Sequence, residues 1–334
     1  RKNRIYILTG DRGSMIRSIA GMIRRVSPRS LWVQRAVREA VSLVEQEAGA
    51  EMAAAALGDM AESPSTPPIL AAACLLRAAD IYRQRGNTAL ALDTYREVVQ
   101  RYSRQPPEDG FIHVISRCRL AIGDMYIEQA EYRKAAAIYE ELMDDPAVQV
   151  FLRLKILSRY VKGMLARAED EAARGEFRLA VKTYLQLLEK VPEATSGHRG
   201  LVAAYAALGE PEKAVQRAQG IIKAGPVERA VDHYALGLAL TYMKHPQLDR
   251  AYQEVSRAIA LNGQDPYFHQ TLGWLLEQRE SAQPGTGALE AALESYRTAL
   301  GLMDPAEFPR DYANLLLNMG NATFRLGNPA AAYA

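Results

Sequence analysis

The stretch LVAAYAALGEPEKAVQRAQGIIKAGP, residues 201–226, decides the fold of this chain. Apolar residues recur at helical spacing on both sides of Gly209, which predicts two amphipathic helices joined by a turn. Glycine at this point supplies the left-handed backbone that often ends a helix. The positions that identify this hairpin are Leu201, Tyr205, Gly209, Ala214, Ala218 and Pro226.

The same pattern occurs 34 residues upstream. It is carried there by Ala168, Gly175, Phe177, Ala180, Tyr184 and Leu187, and it ends at Pro192. A period of this length, with small, aromatic and proline residues at fixed offsets, is typical of a helix–turn–helix solenoid. Each hairpin of a solenoid packs on its neighbours, so the array forms an extended binding surface rather than a catalytic pocket.

Five further copies of the pattern bring the total to seven. They are marked by Tyr82 and Gly86, by Tyr126 and Tyr132, by Leu236 and Gly237, by Leu272 and Gly273, and by Leu316 and Gly320. The pattern resembles the tetratricopeptide repeat (TPR) family over roughly residues 72–334. The resemblance implies an all-α, right-handed superhelical solenoid of helix–turn–helix hairpins. Small residues would let the two helices of a hairpin approach closely, and large residues would fill the space around them.

The chain is expected to have four segments: a basic N-terminal arm over 1–30, a degenerate capping helix pair over 31–62, a Ser/Pro-rich linker over 63–70, and an array of about seven repeats over 71–334, the last one truncated. Residues 1–14 are either native or part of a tag or fused peptide. Because the chain begins at Arg1 rather than Met and stops at Ala334 inside a helical pattern, we expect it to be a fragment of a longer protein.

Repeat spacing departs from the family pattern in the first half of the array. The interval from Gly86 to Ala130 and on to Gly175 is 44–45 residues rather than 34. Residues 148–157 fall in the second interval and are largely apolar. They predict a helix that is longer than the standard repeat helix.

Composition is that of an ordinary globular protein, with 49% hydrophobic residues, 24% charged residues and a mean hydropathy of −0.19. No run of 18 or more apolar residues occurs, so no membrane-spanning helix is predicted. Two cysteines, Cys74 and Cys118, are too few for a disulfide framework or a cysteine-rich zinc site.

Two features resemble chemical sites, and we interpret both as structural. Residues 4–14 read like the start of a phosphate-binding loop, but Met-Ile-Arg follows where that loop needs Gly-Lys-Ser/Thr. Three histidines share one position in successive repeats: His198, His233 and His269. Equivalent positions of packed helices lie about 8–10 Å apart, too far for one zinc ion. We expect no enzyme activity, no cofactor and no metal.

In this family the first helix of each hairpin lines a concave groove. Carried over to this chain, the resemblance places there Arg199, Tyr234, Leu238, Tyr267, Gln270, Trp274, Asn314, Leu317, Asn321 and Phe324, and from the second repeat Arg117, Leu120, Asp124 and Ile127. Aromatic anchors dominate many binding interfaces, and amides can bond both groups of a peptide backbone. Either these residues bind a peptide, or the aromatics pack on a neighbouring segment of the same chain.

The N-terminal arm is strongly basic. Residues 1–38 hold ten Lys/Arg against one Asp, a charge of +9, and since the chain carries +2 the other residues carry −7. Residues 16–26 form an apolar helical face flanked by arginines, and the arm's cations include Arg17, Arg24, Arg25 and Arg29. This helix either caps the open end of the solenoid or contacts a membrane surface or a partner. An acidic body makes nucleic acid an unfavourable partner.

The sequence therefore predicts a protein-interaction scaffold or adaptor that binds a peptide or protein segment in its concave groove, within a multiprotein assembly. The alternative is a sensor or regulatory module of a larger enzyme (an ATPase, protease or transferase) whose catalytic domain lies outside this stretch. A cytoplasmic or periplasmic compartment fits equally, with membrane association through the arm. The sequence leaves the oligomeric state open.

Overall fold

A computed structural model describes residue 42 and residues 49–327, apart from positions 65, 105–108, 149, 284, 286 and 307. This part of the chain forms fourteen α-helices and no strand, which confirms the predicted all-α fold. The basic arm with Arg17, Arg24, Arg25 and Arg29, and most of the capping pair, lie outside the described residues.

The helices are α1 (Ala50–Glu62), α2 (Pro68–Gln84), α3 (Thr88–Tyr102), α4 (Asp109–Glu128), α5 (Tyr132–Asp144), α6 (Val150–Ala173), α7 (Phe177–Lys190), α8 (Thr195–Ala207), α9 (Pro211–Ala224), α10 (Ala230–Thr241), α11 (Leu248–Leu261), α12 (Pro266–Ala282), α13 (Ala288–Leu302) and α14 (Pro309–Arg325). From α2 onward, even-numbered helices are the first and odd-numbered helices the second of each hairpin. The predicted long helix is α6, with 24 residues.

The chain divides into two compact units, Arg1–Gly163 (unit 1) and Met164–Ala334 (unit 2), and the boundary in sequence falls within α6. Inside each unit the helices pack as hairpins, as α2 does on α3 in unit 1 and α12 on α13 in unit 2. First helices also contact one another, as in the pairs α2–α4, α8–α10 and α12–α14. This neighbour-to-neighbour packing is the arrangement that the repeat period predicts.

A left-handed residue ends the first helix of several hairpins. Gly86, Gly175 and Gly209 have φ values of 78°, 77° and 71°. At Gly209 the amide of the following Glu210 donates to the carbonyl of Tyr205 at 2.9 Å, which is the long bond of a Schellman motif. In the second repeat Ala130 takes this place with φ 57°, a conformation that costs more for a residue with a Cβ atom.

Glycines inside the first helices mark the points of closest helix approach. A Cβ atom built at Gly123 would lie 2.5 Å from Cε1 of Tyr139, and one at Gly273 would lie 2.5 Å from Cε1 of Tyr296. The tyrosine ring of the second helix therefore occupies the space of the missing side chain. This is the small-against-large pairing that the resemblance implied.

Candidate functional site

The amino-terminal ends of three first helices meet in unit 2. Arg199 of α8 lies with its guanidinium carbon 4.0 Å from the ring centroid of Tyr267 of α12. It also pairs with Asp311 of α14 at 3.4 Å, and the Tyr267 hydroxyl donates to Asp311 at 2.8 Å. The Phe308 ring meets Tyr267 edge-on at 6.5 Å. These four residues are called the Arg199 cluster below.

The residues that begin α12 and α14 position this cluster. Asp265 caps α12 by accepting from the Tyr267 amide at 2.9 Å, while its other oxygen accepts from the Thr195 hydroxyl of α8 at 2.6 Å. Pro266 and Pro309 begin α12 and α14, the helix position that tolerates a missing amide. The Asp265 carboxylate thus caps α12 and also forms a hydrogen bond to α8.

The cluster is held by charge as well as by packing. Burial raises the pKa of the Tyr267 hydroxyl to about 12, although the nearby Arg199 charge opposes the shift. Burial also tends to lower the pKa of Arg199, but Tyr234 and Asp311 outweigh it and the net shift is upward. Arg199 therefore remains a cation between an aromatic face and a carboxylate.

Two of the aromatics assigned to the groove lie in the interior of unit 2. Tyr234 is 1% exposed, with its ring 4.7 Å from that of Phe268 and its hydroxyl accepting from Thr271 at 3.3 Å. Tyr267 is 6% exposed. Leu238 is partly buried against the same core. Both rings therefore pack within unit 2: Tyr234 lies against Phe268 and Thr271, and Tyr267 lies among the residues of the Arg199 cluster.

The other groove residues form an exposed face. Leu317 and Phe324 of α14 are 62% and 57% exposed, and Trp274 of α12 is 38% exposed. Asn314 and Asn321 are exposed at helical spacing on the same side of α14 as Leu317 and Phe324. We call Trp274, Asn314, Leu317, Asn321 and Phe324 the α12–α14 face. Gln270 is half-buried one turn before Trp274.

An ion pair fixes α14 beside α12. Arg325 donates to Glu277 at 3.0 Å and to the Ser281 hydroxyl at 2.8 Å. In sequence, Trp274 lies one turn before Glu277, and Phe324 directly precedes Arg325. On its other side α14 buries Leu315 and Ala322 in the core of unit 2. The exposed side of α14 is therefore not needed to hold α14 in place.

A cavity of about 470 Å³ adjoins the Arg199 cluster. It is lined by Glu169, Arg199, Phe308, Pro309, Arg310, Asp311 and Asn314. Because Asn314 belongs both to this lining and to the α12–α14 face, the cavity and the face are continuous.

The three position-matched histidines make different contacts. His198 and His269 place Nε2 at 2.9 Å and 3.0 Å from the carbonyls of Pro192 and Gly263. His233 lies between two carboxylates instead, at 2.9 Å from Glu228 and 2.7 Å from Glu254. Within the described residues no group of three or more His, Cys, Asp or Glu side chains is arranged to hold a metal ion.

None of the helices in the described part of the chain combines the length and apolar character that a membrane span requires. Both cysteines, Cys74 and Cys118, are fully buried, and burial raises the pKa of the Cys74 thiol to about 12. Neither thiol is therefore a reactive group of the candidate site.

Comparison with known proteins adds one partial relative and several helical-repeat structures. Lipopolysaccharide assembly protein B of Escherichia coli strain K12 is 24% identical over 143 residues, which cover 42% of this chain and 35% of that protein. TTC0263 of Thermus thermophilus, a thermophilic TPR protein, is 21% identical with a TM-score of 0.37, and the match covers 60% of this chain and 99% of that one. Yeast Tom70 is 12% identical with a TM-score of 0.40, at 90% and 62% coverage.

One hairpin of the array matches a known repeat family in sequence. Residues 73–104, which include most of α2 and all of α3, match the family model of the tetratricopeptide repeat. Left-handed turns follow at Gly86, Ala130, Gly175 and Gly209, at intervals of 44, 45 and 34 residues, and a glycine of the first helix meets a tyrosine ring at Gly123, Gly200 and Gly273. The described part of the chain is therefore an all-α solenoid of helical hairpins, one of which matches the tetratricopeptide repeat.

Proposed function

We propose that this protein is a scaffold or adaptor whose unit 2 binds a peptide or protein segment along the α12–α14 face. The observation that carries the proposal is the exposure of Leu317 and Phe324 on a helix whose opposite side is already buried. Large exposed apolar side chains that recur along one side of a helix and that the fold does not need are typical of an interaction surface.

The chemistry of the face favours an extended segment with apolar side chains. Burying one large apolar side chain contributes about 1.5–3 kcal/mol, so Leu317, Phe324 and Trp274 together could hold a short segment. Asn314 and Asn321 offer both donors and acceptors to a peptide backbone. The nearby charges of Glu277 and Arg325 already neutralise each other. Selectivity at this face would therefore come from apolar contacts and backbone hydrogen bonds.

Arg199 and Tyr267 have a supporting role in this proposal. Their mutual contact and their bonds to Asp311 hold the starts of α12 and α14, the two helices that carry the exposed residues. Tyr234 and Leu238 pack in the core beneath these helices. Gln270 is half-buried on α12.

Peptide selection followed by affinity measurement tests the proposal. Random peptides displayed on phage would be selected on the whole chain, and the enriched peptides measured by fluorescence anisotropy. The variant Leu317→Ser/Phe324→Ser should weaken their binding about tenfold or more, as expected for interface anchors. Both side chains are exposed, so the fold should survive, and circular dichroism checks this.

Leu154→Ser is the matched control, because Leu154 is 73% exposed in unit 1 and lies outside the face. Its affinity for the same peptides should equal that of the unchanged protein. If no enriched peptide depends on Leu317 and Phe324, or if the control loses as much affinity as the double variant, this face is not the binding site.

A further inference from the structure

Three carboxylates occupy equivalent places in successive hairpins. Each lies six residues before a left-handed turn and 15 residues before a tyrosine of the second helix. The three acid–tyrosine pairs are Asp80 and Tyr95, Asp124 and Tyr139, and Glu169 and Tyr184. The sequence therefore repeats one pairing of an acid with a tyrosine in three consecutive hairpins.

In the first two of these hairpins the carboxylate also binds an arginine of the following first helix. Asp80 of α2 lies 3.5 Å from Arg117 of α4, and Asp124 of α4 lies 3.2 Å from Arg159 of α6. Both carboxylates also accept from the tyrosine hydroxyl of their own hairpin, at 2.6 Å and 2.9 Å. Each carboxylate thus joins one hairpin to the next by an ion pair.

The third carboxylate, Glu169 of α6, has Arg199 of α8 as its neighbour. Both residues line the cavity of about 470 Å³ in unit 2. A Cβ atom built at Gly200 would lie 2.2 Å from Cε1 of Tyr184, so this tyrosine ring lies beside the backbone next to Arg199. Burial raises the pKa of the Tyr184 hydroxyl to about 12, and the Glu169 charge adds to the shift while the Arg199 charge opposes it. Both charges therefore act on the same hydroxyl.

Arg199 nevertheless binds a different carboxylate in the structure. Within the described residues it pairs with Asp311 at 3.4 Å and not with Glu169, whose side chain is exposed. Asp311 lies in the first turn of α14 and also accepts from the Tyr267 hydroxyl at 2.8 Å. The arginine of this hairpin thus has two candidate partners, one on α6 and one on α14.

The first turn of α14 rests on α12 in this arrangement. Phe308 meets the Tyr267 ring edge-on at 6.5 Å, and Tyr267 is 6% exposed. The Tyr312 amide donates to the Phe308 carbonyl at 2.9 Å and so closes this turn. The fully buried residues of α14, Leu315 and Ala322, lie beyond it. The first turn can therefore detach while the rest of α14 stays packed.

We infer that residues 308–311 form a latch whose closed and released states differ in the carboxylate that Arg199 binds. The closed state is the one in the structure, with Arg199 on Asp311. In the released state Arg199 binds Glu169, as the arginines of the two preceding hairpins bind their acids, and Tyr267 becomes exposed. The arginine keeps an ion pair in both states, so its charge does not oppose the exchange. The latch is a property of the unbound protein and does not depend on peptide binding at the α12–α14 face.

Hydrogen exchange of the whole chain, read by mass spectrometry, tests the latch in the peptide fragment that contains the first turns of α14. Asp311→Asn removes the carboxylate of the closed state and should speed exchange there about two- to fivefold, the effect of losing a partly exposed ion pair. Glu169→Gln removes the carboxylate of the released state and should slow exchange by a similar factor. A purely structural role of Glu169 would not produce slower exchange on α14.

Glu189→Gln is the matched control, because Glu189 is an exposed carboxylate of α7 in unit 2 that lies outside the cavity lining. It should leave exchange in this fragment unchanged. If circular dichroism shows that Asp311→Asn loses helix, Glu169→Gln decides alone, because its side chain is exposed. No acceleration in a folded Asp311→Asn, unchanged or faster exchange in Glu169→Gln, or equal slowing in Glu189→Gln would each overturn the inference.

Discussion

The guanidinium of Arg199 stacks on the ring of Tyr267 at 4.0 Å and pairs with Asp311, a residue 112 positions further along the chain. In a solenoid whose hairpins pack only on their neighbours, such a contact joins helices that are not adjacent in the array. It requires the amino-terminal ends of α8, α12 and α14 to converge. Convergence covers Tyr267 within unit 2 and leaves the later turns of α14 open.

Removing the Arg199 cation should destabilise unit 2. Arg199→Met keeps much of the aliphatic stem but loses the cation–π contact and the ion pair, at a cost of about 1–2 kcal/mol in the free energy of unfolding. Urea denaturation measures this. Arg297→Met is the control, because Arg297 and its partner Glu294 are both exposed and their pair should contribute little. Equal effects of the two variants would show that the cluster adds no stability.

Two glycine-to-alanine changes in unit 2 should shift the free energy of unfolding in opposite directions. Alanine normally favours a helix interior over glycine by about 0.5–1 kcal/mol. At Gly273 the added Cβ would lie 2.5 Å from the Tyr296 ring, so Gly273→Ala should instead destabilise by about 1–3 kcal/mol. Gly220 has no neighbouring atom within 4 Å, and Gly220→Ala should stabilise. Thermal and urea unfolding distinguish these outcomes, and stabilisation by both changes would contradict the packing argument.

The alanine in the left-handed turn of the second repeat is a site for stabilisation. Ala130 has φ 57°, where other hairpins have glycine, so Ala130→Gly should raise the free energy of unfolding by about 1 kcal/mol. Ala137→Gly, on the exposed side of α5, should lower it by a similar amount because it lies in a helix interior. A loss of stability in Ala130→Gly would mean that the turn conformation carries no strain.

Lowering the pH should reduce the stability of the folded protein, because His198 becomes protonated. Burial lowers the pKa of this histidine below the ordinary 6.5, so the unfolded chain binds its proton more readily than the folded one does. Its contribution to stability is complete above about pH 6.5 and is lost as the pH falls below that value. His198→Gln should therefore lose less stability between about pH 7.5 and 5.5 than the unchanged protein in urea titrations.

His245→Gln is the control for this pH effect, because His245 is exposed in the α10–α11 turn. It should retain the pH dependence of the unchanged protein. Identical curves for the His198→Gln and unchanged proteins would exclude His198 as a source of acid sensitivity.

Local pattern is enough to predict the hairpins. The sequence predicts turns at Gly86, Gly175 and Gly209, and all three residues have left-handed φ values. Glycine adopts this backbone conformation without steric cost, so the residue type is enough to predict the turn. Gly273 is predicted as a small position and lies against Tyr296 for a similarly short-range reason, since both belong to one hairpin. The long α6 follows from the apolar run at 148–157.

Exposure along the groove cannot be predicted in the same way. One rule assigns both Tyr267 and Phe324 to the groove, yet the first is 6% and the second 57% exposed. The period describes how a hairpin meets its neighbours but not how strongly successive hairpins curve. A side chain on a first helix is covered or open according to that curvature, because contacts such as Arg199–Asp311 join hairpins that are distant in sequence.

The sequence by itself therefore determined the repeat, its turns and the close contacts inside each hairpin, since these depend on residues within one period of one another. Only the tertiary structure decided which groove positions are buried in the Arg199 cluster, which remain open on the α12–α14 face, and which carboxylate Arg199 binds. Those outcomes depend on side chains brought together from several hairpins, and the free energy of burying them is set by that assembly rather than by any single repeat.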